Sequence, residues 1–203
     1  MKIQIDRNEK IIPTDFSWQF GIGNDHACQM LRTDVCGHVK LAHDELGIKY
    51  IRFHGIFDDD LLVIQRLTDY FNFAAMPWAK GIQELNFRQV ANVFDNVLKC
   101  GMKPFVELSF MPKAIASGKK VGLRYRNNIT MPKNMERWCD LIEKFVRFLF
   151  ERYGQEEVRT WYFEIWNEPD LPIFFKGSKK DYFKLYEATA KTIKKIDPQL
   201  RVG

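Results

Sequence analysis

Apolar runs alternate along the chain with segments whose apolar positions recur every three or four residues. Phe16 to Gly23 reads as a first core strand, closed by the turn formers Asn24 and Asp25. Val35, Val39, Ala42 and Leu46 share a helical face over Asp34–Leu46, with Thr33 as N-cap and Gly47 as C-cap. Ile48–Phe53 is a second strand ending at His54-Gly55, and Asn86 caps a helix bearing Phe87, Val90, Phe94 and Val97 that Gly101 stops. Lys103–Ser109 is a third strand. Met135–Tyr153 is a helix with Trp138, Leu141, Ile142, Phe145, Phe148 and Leu149 in register, and Val158–Trp166 is a fourth strand. Ser178 with Asp181 forms a capping box for a helix through Leu185, Ile193 and Ile196, halted by Pro198, and Leu200–Gly203 begins a fifth strand. Residues 1–15 read as an N-terminal arm or edge strand.

Strands alternating with amphipathic helices predict an α/β protein with a parallel sheet. The long connections, 55–85 and 110–134, both follow strands, while the returns from helix to strand are short. That asymmetry fits a (β/α)8 TIM barrel, whose site is built from the loops after the strands. A doubly wound open sheet is the alternative, but Gly21-Ile-Gly23-Asn-Asp-His26 lacks the third glycine of a phosphate loop. A barrel takes about 250 residues; residues 16–203 supply four β/α units and the start of strand five, so they are expected to be the N-terminal half of one.

Composition narrows the function classes. With 46% hydrophobic residues the 203-residue chain can bury a full core. The net charge of +5 is spread as lysine pairs among acidic residues, so no nucleic-acid partner is expected. No apolar run approaches a membrane span, and the first residues lack a signal-peptide apolar region, so no membrane partner and a cytoplasmic location are expected. Cys28, Cys36, Cys100 and Cys139 show neither C-x-x-C nor ligand spacing and are read as free thiols, without disulfide or metal.

The chemistry converges on Trp161 to Asp170. An aromatic strand ends in Asn167-Glu168-Pro169, and proline cannot donate to a ladder, which leaves Glu168 at the mouth. Asn167 can hydrogen-bond a sugar hydroxyl, and Trp166 can form an apolar wall that raises the Glu168 pKa. The bland alternative is a salt-bridged rim carboxylate. Glu164, four residues earlier, lies roughly 13 Å away along an extended strand at ~3.3 Å per residue, too far for a retaining pair at ~5–5.5 Å. It is expected to be structural, as is Glu107 on the third strand. His54 is open between a satisfied structural histidine and a sugar ligand. Asp59 and Asp60 read as solvated, and Phe110, Tyr125 and Trp78 as stacking surfaces for sugar rings or as packing aromatics.

Trp161-Tyr-Phe-Glu-Ile-Trp-Asn-Glu-Pro-Asp170 fits the pattern W-x-F-E-x-W-N-E-P-[DN], and the chain resembles glycoside hydrolase family 39 there. Tyr50 to Gly55, Gly101 to Lys113, Ala116 to Gly118 and Asp181 to Ala190 also resemble its β-xylosidase branch. The resemblance implies a retaining (β/α)8 glycosidase without cofactor, acting on a small oligosaccharide such as a β-xyloside. It places Glu168 as acid/base, with Asn167 beside it and His54 in the sugar subsite. The nucleophile it implies is a glutamate on the seventh strand, which these residues do not reach, so the chain alone is expected to be inactive. An α-L-iduronidase-like activity on an acidic sugar stays open, since Arg124 and Arg126 flank Tyr125. So does a non-catalytic half-barrel that binds sugar. Partnership with a C-terminal half or self-association as a homo-oligomer is expected from the unpaired sheet edges.

Overall fold

A computed structural model describes residues 15–66, 83–122 and 127–203. Five parallel strands form the central sheet: β1 (Gly21–His26), β2 (Tyr50–His54), β5 (Lys103–Glu107), β8 (Tyr162–Glu164) and β9 (Arg201–Val202). Between them run the helices α1 (Thr33–Leu46), α2 (Arg88–Lys99), α3 (Met135–Tyr153), the short α4 (Gln155–Val158) and α5 (Lys179–Ile196). Neighbours in the sheet follow chain order, β1-β2-β5-β8-β9. A doubly wound sheet reverses its strand order at a switch point. Here the order never reverses, so the arrangement is that of a partial (β/α)8 barrel. Two hairpins, β3 (Ile64–Arg66) with β4 (Gln83–Leu85) and β6 (Val121–Gly122) with β7 (Asn127–Asn128), stand in the long connections after β2 and β5.

Period-2 alternation sorts the side chains. In β2, Ile51 and Phe53 are fully buried toward the helices, while Tyr50, Arg52 and His54 face the other way and are partly open. Phe53 packs on Phe94 of α2, and Phe94 on Trp161 and on Phe145 of α3. That apolar layer between sheet and helices is the core. The helices start where side chains satisfy their first N–H groups: Asn134 accepts from Glu136 and Arg137, and Ser178 and Asp181 close a complete capping box.

Three sequence expectations need correction. The first strand begins at Gly21, not Phe16, because Phe16 is left-handed (φ 51°) and Ser17–Gln19 form a 3-10 turn. Asn24 and Asp25 stay within that strand, with an irregular register before His26 aligns with His54. Thr33 is the first helical residue rather than the cap, which is Arg32. The fourth strand is only Tyr162–Glu164; Val158 ends the helical turn α4, started by Gly154 at φ 81°. A short apolar run cannot tell a buried helical turn from a strand by its period. The arm at 1–14 lies outside the described residues.

Candidate active site

The inner face of the sheet changes character along the strands. At the N-terminal end Phe20, Tyr50, Phe105 and Tyr162 form an aromatic layer, with Phe20 stacked on Tyr50 at 5.0 Å and Phe105 on Tyr162 at 5.4 Å. Toward the C-terminal ends the same face becomes polar. The parallel register brings His26 beside His54 and Glu107 beside Glu164, so four titratable groups converge at one mouth.

Arg52 is the hub of the next layer. Its Nε donates to Glu164 Oε2 at 2.5 Å and its terminal nitrogen to Glu164 Oε1 at 2.9 Å, a fork-to-fork pair across the intervening strand. The same terminal nitrogen donates to Asn167 Oδ1 at 2.8 Å. Burial works against the charge on Arg52, but the Glu164 bond and the fields of Glu107 and Glu168 outweigh it and hold the guanidinium protonated. Glu164 is thus a structural partner, partly exposed rather than fully enclosed. Arg52 lies within the Tyr50–Gly55 stretch that carries the family resemblance, but its partners there are not legible; the local signal is a charge at an inward position of an otherwise apolar strand.

His54 Nδ1 lies 3.1 Å from Glu107 Oε2, and Glu107 is 0% exposed with its other carboxylate oxygen unpartnered. Beside them His26 Nδ1 lies 3.3 Å from Asp58 Oδ2, and the His26 and His54 rings meet edge to face at 5.9 Å. Burial pushes the Asp58 carboxyl up to about 6, with Asp60 and Glu107 adding to the rise and His26 opposing it. The backbone must pass close under this pair: a Cβ on Gly55, at φ +73°, would collide with Asp58 Oδ2.

Phe110 and Trp166 are buried, so neither offers a stacking face. Phe110 lies 6.4 Å from both histidine rings and packs edge-on against Trp166 at 5.6 Å. The indole turns inward, donating to the Phe174 carbonyl at 2.8 Å and packing on Phe175. It forms the floor of the turn, in place of the apolar wall expected beside the Glu168 carboxyl.

The strand does not run on to Pro169. After Glu164 only the Ile165 N–H continues the ladder, donating to Gly203. Trp166 (φ 71°) and Glu168 (φ 38°) are then left-handed, a conformation uncommon for bulky residues that persists when its surroundings impose it. The indole bond and the Tyr182 hydroxyl on the Ile165 carbonyl pin this turn. The extended spacing expected between Glu164 and Glu168 therefore does not apply. The turn leaves Asn167 4% exposed, with Nδ2 unpartnered among the described residues, and Glu168 exposed.

Asp59 is taken by the Lys113 N–H and ammonium, and no group of three metal-ligating side chains occurs among the described residues. Trp78, Arg124, Tyr125 and Arg126 lie outside the described residues. What the arrangement offers is an exposed carboxylic acid, a buried amide donor and a charged, hydrogen-bonded wall.

A sequence model of Glycosyl hydrolases family 39 matches residues 1–203. A beta-xylosidase of Caldicellulosiruptor saccharolyticus is 45% identical over 204 residues, covering 100% of this chain and 40% of that relative. A beta-xylosidase of Geobacillus stearothermophilus is 39% identical, covering 92% and 36%. The crystal structure of a monomeric beta-xylosidase from Caulobacter crescentus CB15 superimposes with a TM-score of 0.84 at 40% identity, covering 94% of this chain and 36% of that one. The chain thus spans about two fifths of the length of the curated relatives it matches.

Proposed function

The chain belongs to glycosyl hydrolases family 39, and from that premise we propose that the protein is a retaining glycosidase releasing xylose from β-xylosides, with Glu168 as general acid/base. The observation that carries the reading is the turn at 165–168, which sets an exposed carboxyl beside a buried amide whose Nδ2 has no partner among the described residues, at the mouth of the strands. The 45% identity to a beta-xylosidase supports the choice of sugar.

In the first step Glu168 protonates the leaving oxygen while a second carboxylate attacks the anomeric carbon; in the second, Glu168 takes a proton from water, which releases the sugar. Glu107 and Glu164 are both engaged, by His54 and by Arg52. The resemblance to the family implies a nucleophilic glutamate on a seventh strand, which we place outside residues 1–203, and the 203-residue polypeptide alone is expected to be inactive. His54, oriented by Glu107, presents its remaining ring nitrogen to a sugar hydroxyl. Phe110 and Trp166 act beneath it as support. Tyr125 is proposed as an aromatic contact from the 123–126 segment. No helix among the described residues is long and apolar enough to cross a membrane; a cytoplasmic location is proposed on the four free cysteines.

The test is hydrolysis of a chromogenic β-xyloside by the complete polypeptide, with the first-formed sugar followed by proton NMR. β-Xylose as first product is expected. α-Xylose would overturn retention, and no turnover of xylosides would overturn the substrate.

A further inference from the structure

An asparagine amide has two edges of opposite character, an oxygen that accepts and a nitrogen that donates. Which edge meets a ligand depends on what holds the other. In this site Asn167 Oδ1 accepts from Arg52 at 2.8 Å, while Nδ2 is buried without a partner. Arg52 is a donor only, so the reversed amide would set N–H groups against N–H groups at the same contact. Arg52 cannot easily turn aside, because Nε and one terminal nitrogen are forked onto Glu164 at 2.5 and 2.9 Å. Glu164 sits at the end of β8, three residues before Asn167, and Arg52 two strands away on β2, so the clamp ties the turn to the sheet.

We propose that Arg52, held by Glu164, is a positioning residue that fixes the orientation of the Asn167 amide, making Asn167 an obligate donor to a lone pair of the bound sugar. The inference rests on the glycosidase reading above and adds the origin of its donor specificity. A lysine at 52 would keep the positive charge but, as a point charge on a flexible stem, could not serve both partners in fixed geometry. Because lysine keeps the charge that Glu107 and Glu168 feel, the loss caused by Arg52→Lys reads the orientation of Asn167 rather than that field.

That claim is tested by a double-mutant cycle in the complete polypeptide, with kcat/KM for a chromogenic β-xyloside as readout. Asn167→Ala is expected to lower kcat/KM by roughly 10- to 100-fold, the size of one lost charge-assisted or buried hydrogen bond. Arg52→Lys should fall by a similar factor alone, yet by less than about threefold when added to Asn167→Ala. Among the 2-, 3- and 4-deoxy xylosides, the one lacking the hydroxyl that Asn167 meets should be insensitive to both changes. Thermal midpoints identify unfolded variants; should Arg52→Lys fail to fold, Glu164→Gln takes its place in the same cycle. Equal factors for Arg52→Lys with and without Asn167 would overturn the proposal, as would wild-type kcat/KM in either single variant. Xyloside turnover by the unmutated protein decides the parent reading separately.

Discussion

Asp58 is a buried carboxyl paired with a buried histidine, and its burial has a consequence for stability. An unfolded aspartate loses its proton near pH 4, whereas burial delays ionisation of Asp58 until about pH 6. Between those values the native state holds a proton that the unfolded state has lost. Stability contributed by this group is therefore full below pH 4 and declines as pH rises toward 6, by up to roughly 3 kcal/mol for a shift of about two units. Asp58→Asn should flatten the fall in urea-unfolding free energy between pH 4 and 6.5; identical slopes in the two proteins would contradict the assignment. Asp197 runs the other way. Arg159 and Gln155 hold its carboxyl at about 2, so its contribution is present above pH 4 and is lost as pH falls toward 2. At this scale the sequence singles out Glu168 and Asn167 from one contiguous motif and His54 from the end of β2, because each of those signals is local. It does not yield the Arg52 clamp or the His26–Asp58 pair, whose partners meet only when strands align.

Helices whose ends are signalled locally are the elements read most faithfully from the chain. α3 spans Met135–Tyr153 as its periodicity predicts, and α5 starts at the capping box that Ser178 and Asp181 encode. Ser178→Ala should lower stability by about 1 kcal/mol, measured as a reduced urea midpoint; an unchanged midpoint would mean the box contributes nothing. Gly55→Ala is expected to cost more, since it combines a left-handed backbone with a Cβ driven into Asp58. Its melting temperature should fall further than that of Ser178→Ala. The strands are read less well. The fourth is three residues long because α4 takes Val158 and the left-handed Trp166 ends the extended run. Positive φ at a tryptophan is imposed by tertiary contacts, which no local propensity announces.

For the molecule as a whole, strand order and loop asymmetry carry the fold from sequence to structure. The inner aromatic layer is incompletely covered, with Phe20 45% exposed, and Trp18 in the turn before β1 is 52% exposed. Large exposed apolar surfaces favour association. The 203-residue polypeptide on its own should bind an apolar dye and sediment above its 24.0 kDa mass; a dye-free monomer would contradict this.

The central claim, that Glu168 supplies and removes the proton, is tested most directly by Glu168→Ala in the complete polypeptide, assayed on xylosides of differing leaving groups with and without azide. A poor leaving group needs the proton and should lose about 10²–10⁴-fold in rate. A dinitrophenyl xyloside should be cleaved at a nearly unchanged first step, with azide accelerating turnover and yielding β-xylosyl azide. Equal losses for all leaving groups, or no azide product, would contradict it.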